Sequence, residues 1–282
     1  MAMMLPPIKN RKTGWRLFLM TVIGRSYPRV VGMQRELSWI FFDTFLPMLG
    51  VVAYVFVYRA IKAPEDYVGF VVVGGAMMAY WMNVLWSMSS QLYWEKETGN
   101  LALYIISPGP MMGILLGMAM GGLFATTLRA LGIVILGSLL FQVHYVIVSF
   151  GQLFLVFFLT MVALYGLGMM TASLYLLLSR EAYHLSNLAQ EPIFLISGFY
   201  FPIKSFPAWV PFVGSIIPLT MGMDAMRQLA FASGPSLGWI SVKLELIGLV
   251  VLSVLFLVSA RVLLDYMERL AVREGRLTES RA

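Results

Sequence analysis

From Met111 to Leu178 the chain is almost unbroken apolar sequence, and its most polar interruption is Gln142-Val143-His144. Such a stretch offers no wet face to set against a dry one, so it has no stable place at the surface or core of a water-soluble domain. Composition agrees: 60% of residues are hydrophobic, 12% are charged, and the mean hydropathy is +0.82. A soluble domain carries about 25% charged residues. Apolar runs of roughly 20 residues without alternation fit helices crossing a bilayer and not the strands of a barrel. The expected fold is therefore an all-α integral membrane protein.

Six spans are expected: Trp39–Tyr58, about Val68–Leu92, Met111–Leu140, Phe150–Leu178, about Tyr183–Tyr200 and about Leu237–Leu264. Charge placement sets the parity. Seven basic residues (Lys9, Arg11, Lys12, Arg16, Arg25, Arg29 and Arg35) precede the first span, and five arginines (Arg261, Arg269, Arg273, Arg276 and Arg281) follow Ser259. Positive charge favours the cytoplasmic side, so both ends are placed there and the span count is even. On this reading residues 1–38 form a cytoplasmic N-terminal segment, 39–264 the six-span domain and 265–282 a cytoplasmic tail. Arg180-Glu181 makes a cytoplasmic turn, and 201–235 lies outside. The start "KNRKTGWRLFLMTVIGRSYPR" lacks a small-x-small cleavage site and continues into Arg25 and Arg29. With Trp15, Phe18 and Tyr27 it reads as an interfacial helix and not a signal peptide.

Several chemistries drop out early. The chain has no cysteine, so thiolate catalysis, disulfides and cysteine metal sites are excluded. His144 and His184 are its two histidines, with no His-Glu-x-x-His pattern, so no metal site is expected. No Gly-x-x-x-x-Gly-Lys-Ser/Thr loop is present, so no cofactor is expected in this chain, and energy must come from a partner or an ion gradient. The bilayer is the expected surrounding, and no nucleic-acid partner is expected.

Two polar or irregular stretches interrupt the grease. "YWEKETGNLALYIISPGP" lies between spans two and three, inside the cell by the charge count. It can form a short amphipathic helix end and a turn at Thr98-Gly99, stopped by Pro108 and Pro110. From composition alone it is either a solvated connection or a charged knob facing a cytosolic partner. The second stretch, "SGFYFPIKSFPAWVPFVGSIIPLTMGMDAMRQLAFASG", follows span five and carries Pro202, Pro207, Pro211 and Pro218 among aromatic residues. It is too apolar for an exposed loop, so two short helices dipping into the outer leaflet are expected, Ala208–Ser215 and Thr220–Phe231. Asp224 and Arg227, three apart, can pair on one helical face.

These stretches resemble type-2 ABC transporter permeases. The family's outer signature is similar at Pro218, Leu219 and Arg227, whereas Met221 stands where a polar or aromatic residue is usual. The stretch "EKETGNLALYIISP" is similar to the family's Glu-x-x-x-Gly-Thr-Leu pattern at Glu95, Gly99, Leu101 and Pro108, with Asn100 in place of threonine. The resemblance implies an ATPase-coupling loop at Glu95, Lys96, Glu97, Thr98 and Gly99. It also implies a separate nucleotide-binding ATPase in two copies, which holds ATP and magnesium, and a second permease chain as homodimer or heterodimer. The outer helices, with Pro202, Pro218, Asp224 and Arg227, would form an outer gate.

Within the spans, Gly113, Gly117 and Gly121 recur at intervals of four, continued by Ala125 and Arg129. Such a stripe admits a close helix neighbour, either as ordinary packing or as a seam along a transport path. Asp43, Arg129 and Glu191 are the intramembrane ionisable candidates. Glu191 has the strongest case, because Pro192 follows it near the middle of span five. Asp43 reads equally as an interfacial charge. Lys243 and Glu245, two apart, fall on different faces.

The expected function is the permease subunit of an ATP-driven exporter in a bacterial or archaeal cytoplasmic membrane, moving a drug-like or lipidic amphiphile outward. A polysaccharide or glycolipid exporter is the alternative, disfavoured because "RVVGMQRELSWIFFDT" lacks the Arg-Tyr-type pattern that such relatives tend to carry before span one. An ion-coupled secondary transporter ranks lower, since the two halves show no internal similarity.

Overall fold

The fold is described from a computed structural model covering residues 14–35, 37–178, 188 and 190–274. The Arg180-Glu181 turn, the start of the fifth span, the first basic cluster and the end of the tail lie outside the described residues, as do the side chains of Asp43 and Arg35.

The described regular structure is helical throughout. In chain order it runs α1 (Trp15–Arg35), α2 (Leu37–Ala60) and α3 (Asp66–Met82), then a π-helical turn (Asn83–Ser89), α4 (Gln91–Glu97) and α5 (Asn100–Ile106). Next come α6 (Met111–Phe141), α7 (Phe150–Leu178) and a helical stretch over 190–196, here α8. A 3-10 turn (Ile203–Ser205) leads to α9 (Trp209–Gly214), α10 (Pro218–Ala230), α11 (Gly234–Leu237) and α12 (Val242–Glu274). The break at 142–149 and the short helices α9 and α10 fall within a few residues of the expected bounds, whereas the last helix starts later, at Val242, and runs on to Glu274.

Four helical runs among the described residues are long and apolar enough to cross a membrane: Asp66–Glu97, Met111–Phe141, Phe150–Tyr175 and Val242–Met267. The apolar part of α2, Thr44–Ala60, is shorter. At about 1.5 Å per residue, α6 with its 31 residues is longer than a hydrocarbon core of about 30 Å. It must tilt or protrude.

The core forms around α7, which packs against α12, α10 and the π-turn, while α6 packs against α1, α2 and α3. Leu164 and Met169 of α7, Ile133, Leu115 and Met118 of α6, and Leu219 of α10 are almost wholly buried. Large apolar side chains on the opposite faces of α6, α7 and α12, such as Leu139, Phe154 and Val262, are exposed. In water that distribution would be costly; in lipid it is the natural surface.

Two junctions show how irregular backbone is satisfied. Gln142 ends α6 in the left-handed region at φ 54°, and the linker after it donates Val146 N to Ala230 O at 2.8 Å and Val148 N to Leu229 O at 3.0 Å. The turn after α8 lies against α3, where a β-carbon on Gly74 would sit 1.6 Å from Phe199 O. Only glycine lets α3 and that turn touch. Gly74→Ala must therefore push the turn outward, at a cost of about 1–3 kcal/mol typical of overpacking. A clear drop in the thermal unfolding temperature of the purified chain in detergent is the expected result.

Candidate functional site

The expected coupling loop is a compact helical knob. α4 ends at Glu97, and Gly99 takes φ 78° before α5 begins. Any side chain at that position would be strained in the left-handed region. Glu97, Thr98, Gly99 and Asn100 are exposed, while Lys96 is half-buried. Glu95 differs from expectation. Instead of facing outward it is buried at 6% exposure, ion-paired to Arg25 Nη2 of α1 and accepting Gln91 Nε2 at 2.8 Å. The pattern of α4 explains this: residue 95 shares its face with Leu92 and Gln91, which look inward, whereas Trp94 and Glu97 look out. Arg25 also lies over the ring of Tyr104 on α5, 5.2 Å from its centroid. Burial raises the Tyr104 phenol above its ordinary pKa, with Arg25 pulling the other way.

Arg29, one turn beyond Arg25, continues the connection. It donates from Nη1 to Met118 O of α6 at 3.0 Å, and from Nη2 to Gln91 Oε1 at 3.1 Å, to Ser87 O at 3.3 Å and to Ser87 Oγ. One guanidinium thus ties α1, the π-turn, α4 and α6 together.

The glycine stripe explains how α1 comes so close. A β-carbon on Gly113 would meet Thr21 and Phe18, one on Gly117 would meet Val22 O at 2.6 Å, and one on Gly121 would meet Arg29 Cβ at 2.9 Å. The stripe is the seat of α1, which runs alongside the first half of α6. Of the two readings of these glycines, packing within the chain is the one observed. The expected interfacial helix is therefore docked, its position set by α6.

The other candidates are placed as follows. Arg129 lines a cavity of about 710 Å³ together with Arg29, Asn83 and Trp86. Glu191, at the start of α8, is exposed, with its carboxylate 3.5 Å from Gln190 Nε2; Gln190 Oε1 in turn accepts Trp86 Nε1 at 3.0 Å. Glu191 is thus at the edge of the fold and not in its centre. Lys243 is exposed and Glu245 buried, on different faces as expected.

At the other end, Arg227 is buried at 3% exposure and donates to Gly198 O at 2.7 Å, Phe199 O at 2.7 Å and Phe70 O at 2.9 Å. The expected Asp224–Arg227 pair does not form. Asp224 Oδ2 accepts Trp239 N at 2.9 Å and Gln228 Nε2 at 3.1 Å. Two carbonyls of the 198–201 turn and one of α3 take Arg227, while Asp224 is held by Trp239 N and Gln228 Nε2. Pro218 occupies the first turn of α10, where a missing N–H is harmless, and Pro202 precedes the 3-10 turn.

Sequence reasoning missed Arg25, Arg29 and Gln91, treating the two arginines as generic interfacial charges. Their spacing of four was the available signal, since it places both on one face of α1.

The model for ABC-2 type transporters matches residues 19–231, from α1 through the end of α10. The chain belongs to the ABC-2 type transporter family. It is similar to the protein named "Probable multidrug ABC transporter permease YbhR" of Escherichia coli K12, with 27% identity over 168 residues, 58% of this chain and 44% of that protein. The protein of the same name in Escherichia coli O157:H7 matches to the same extent. The chain thus spans less than half the length of these relatives. Membership makes it a permease of the ABC type, a multi-pass membrane protein and a transport component.

Because the chain is free of cysteine, the α1–α6 seat can be tested directly. Thr21 Cβ lies 3.3 Å from the β-carbon position of Gly113, close to the roughly 3.5–4.5 Å that a disulfide requires. Thr21→Cys with Gly113→Cys should cross-link within one chain on mild oxidation, read as loss of both free thiols without a change in oligomeric mass.

Proposed function

We propose that this chain is the permease subunit of an ATP-driven exporter that moves a drug-like or lipidic amphiphile outward across the cytoplasmic membrane. Two copies of a separate ATPase, holding ATP and magnesium, dock on the cytoplasmic side, and a second permease chain completes the path. Six spans, with both ends cytoplasmic and α9 and α10 re-entrant from outside, are the topology that goes with this reading. The name of the Escherichia coli relative supports a multidrug-like substrate.

The observation that carries the proposal is the knob and what stands behind it. Its exposed tip, Glu97 to Asn100, is free to meet a partner. Its buried base, Glu95, is bonded to α1, and α1 is seated along α6. A push on the tip therefore reaches the membrane helices through one ion pair and one helix seat, without needing a flexible loop to transmit force. Closure of the ATPases would displace α4, shift α1 through Arg25, and reposition α1 against α2, the π-turn and α6. The π-turn is a fitting place for such give, because its wider helical turn is less tightly held than regular α-helix. Arg227 would keep the outer turn fixed meanwhile.

Co-purification of the tagged chain from its own membranes should bring down a stoichiometric subunit with a phosphate-binding loop. Glu97→Lys should weaken that complex, because it inverts the exposed charge of the tip. Arg25→Ala should leave assembly intact but cut substrate-stimulated ATPase activity several-fold, with Glu95→Ala giving no further loss in the double variant. Reproducible recovery of the chain alone would overturn the proposal.

A further inference from the structure

Three departures from regular α-helix border one cavity. Pro28 lies inside α1, Pro47 inside α2, and the π-turn Asn83–Ser89 follows α3. Pro28, Pro47, Asn83, Trp86 and Ser87 all line the space of about 710 Å³. A cavity of roughly 300–1,000 Å³ suits a drug-sized ligand, and π-turns inside helices are frequent at functional sites.

Most of the polar lining is already bonded within the protein. Arg29 donates to Met118 O, Ser87 O, Ser87 Oγ and Gln91 Oε1. Arg129 has a partner of its own. Trp86 Nε1 is taken by Gln190 Oε1 of α8 at 3.0 Å. Asn83 differs. Its Oδ1 accepts the Tyr165 hydroxyl of α7 at 2.9 Å, and Gly122 of α6 leaves it room, since a β-carbon there would stand 2.7 Å away. The Tyr165 bond fixes which end of the amide faces α7. Nδ2, at the other end, donates to no described residue. It stands in a lining that also presents Leu46, Pro47, Ala79 and Met82. An amide N–H in apolar surroundings is costly unless something accepts from it.

We infer that this cavity binds an uncharged amphiphile that carries an acceptor oxygen, the oxygen taking the Asn83 Nδ2 hydrogens and the apolar body lying along α2 and α3. The inference rests on the transport reading and narrows its substrate class from amphiphiles in general to uncharged ones with an acceptor. Asn83 is then the residue that sets specificity. A quaternary ammonium offers no acceptor to the amide. A phosphate would have to leave water for a site whose arginines are already bonded, and burying such a charge is expensive. The cavity reaches the surface at Gly32, an exposed position lining it with nothing within 4 Å of a β-carbon. A large side chain fits there without disturbing the packing.

The test is equilibrium binding of tritiated N,N-dimethyldodecanamide to the full chain in phosphatidylcholine nanodiscs, with empty nanodiscs subtracted. This probe has an acceptor oxygen, no donor and no charge. Unlabelled dodecyltrimethylammonium and dodecyl phosphate compete as its cationic and anionic matches. Wild-type chain should bind the amide saturably, and each charged amphiphile should displace it at least about five-fold less well than unlabelled amide does, the size of one neutral hydrogen bond. Asn83→Asp keeps the acceptor for Tyr165 and turns the donor into a second acceptor. It should lower the affinity for the amide about five-fold and raise that for the cation, a reversal that mere loosening of the fold would not give. Gly32→Trp should block binding while leaving the unfolding temperature unchanged. Displacement by dodecyl phosphate as good as by the amide, an Asn83→Asp chain without the reversal, or undiminished binding by Gly32→Trp overturns the inference. So does a wild-type chain that shows no saturable binding, as when a second copy covers the cavity. If Asn83→Asp does not fold, the amphiphile preference of wild type and the Gly32→Trp block decide. Diacylglycerol in the nanodisc distinguishes sources: displacement of the amide assigns the site to a bilayer lipid, and no displacement assigns it to a free amphiphile. None of these measurements needs the ATPase. Binding without a co-purifying ATPase would leave the site standing and sink the exporter reading, and assembly without binding would do the reverse.

Discussion

Two arginine side chains tie irregular backbone to the helices that pack against it. Arg29 reaches Ser87 O in the π-turn and Met118 O on α6, and Arg227 reaches Gly198 O and Phe199 O in the turn after α8 and Phe70 O on α3. In a bilayer no water is at hand to take over those bonds, and each unsatisfied polar group costs several kcal/mol. Departures from helix need other partners, supplied either by backbone, as at the linker after Gln142, or by a side chain with several donors. A guanidinium, with five N–H groups in a planar fork, does this better than any other side chain. The two arginines hold two places where the chain leaves regular α-helix, the π-turn and the turn after α8.

The first of these places is also where the knob, α1 and the cavity come together. Glu95 faces inward from the knob, Arg25 takes it from α1, and Arg29 on the same face reaches the π-turn and α6. Glycines at 113, 117 and 121 bring α1 near enough for such short side-chain paths to suffice. The same closeness gives way at Pro28, Pro47 and the π-turn, where the cavity opens. Tight packing and local breakage are thus adjacent along one helix.

Much of this was legible in advance, and some was not. The break at Gln142-Val143-His144, the short helices α9 and α10 and the knob's turn at Gly99 all follow from local chemistry, and the observed bounds lie close to the expected ones. The inward turn of Glu95 was not legible, because a charged residue in a polar loop reads as solvated unless its partner is known. Nor was the separation of Asp224 from Arg227. Spacing permits that pair, and only the arrival of the 198–201 turn, brought in by Gly74, offers Arg227 better acceptors.

The sequence by itself determined that this chain lives in a membrane, that it is helical, and where its helices break, because hydropathy, proline and glycine act over a few residues. Tertiary structure alone decided which partner each charge meets: Arg25 meets Glu95, Arg29 meets the π-turn and α6, and Arg227 meets the turn after α8 and Phe70 O. Those pairings join residues tens of positions apart, and electrostatics in a low-dielectric interior depends on distance in space, which one-dimensional spacing does not encode.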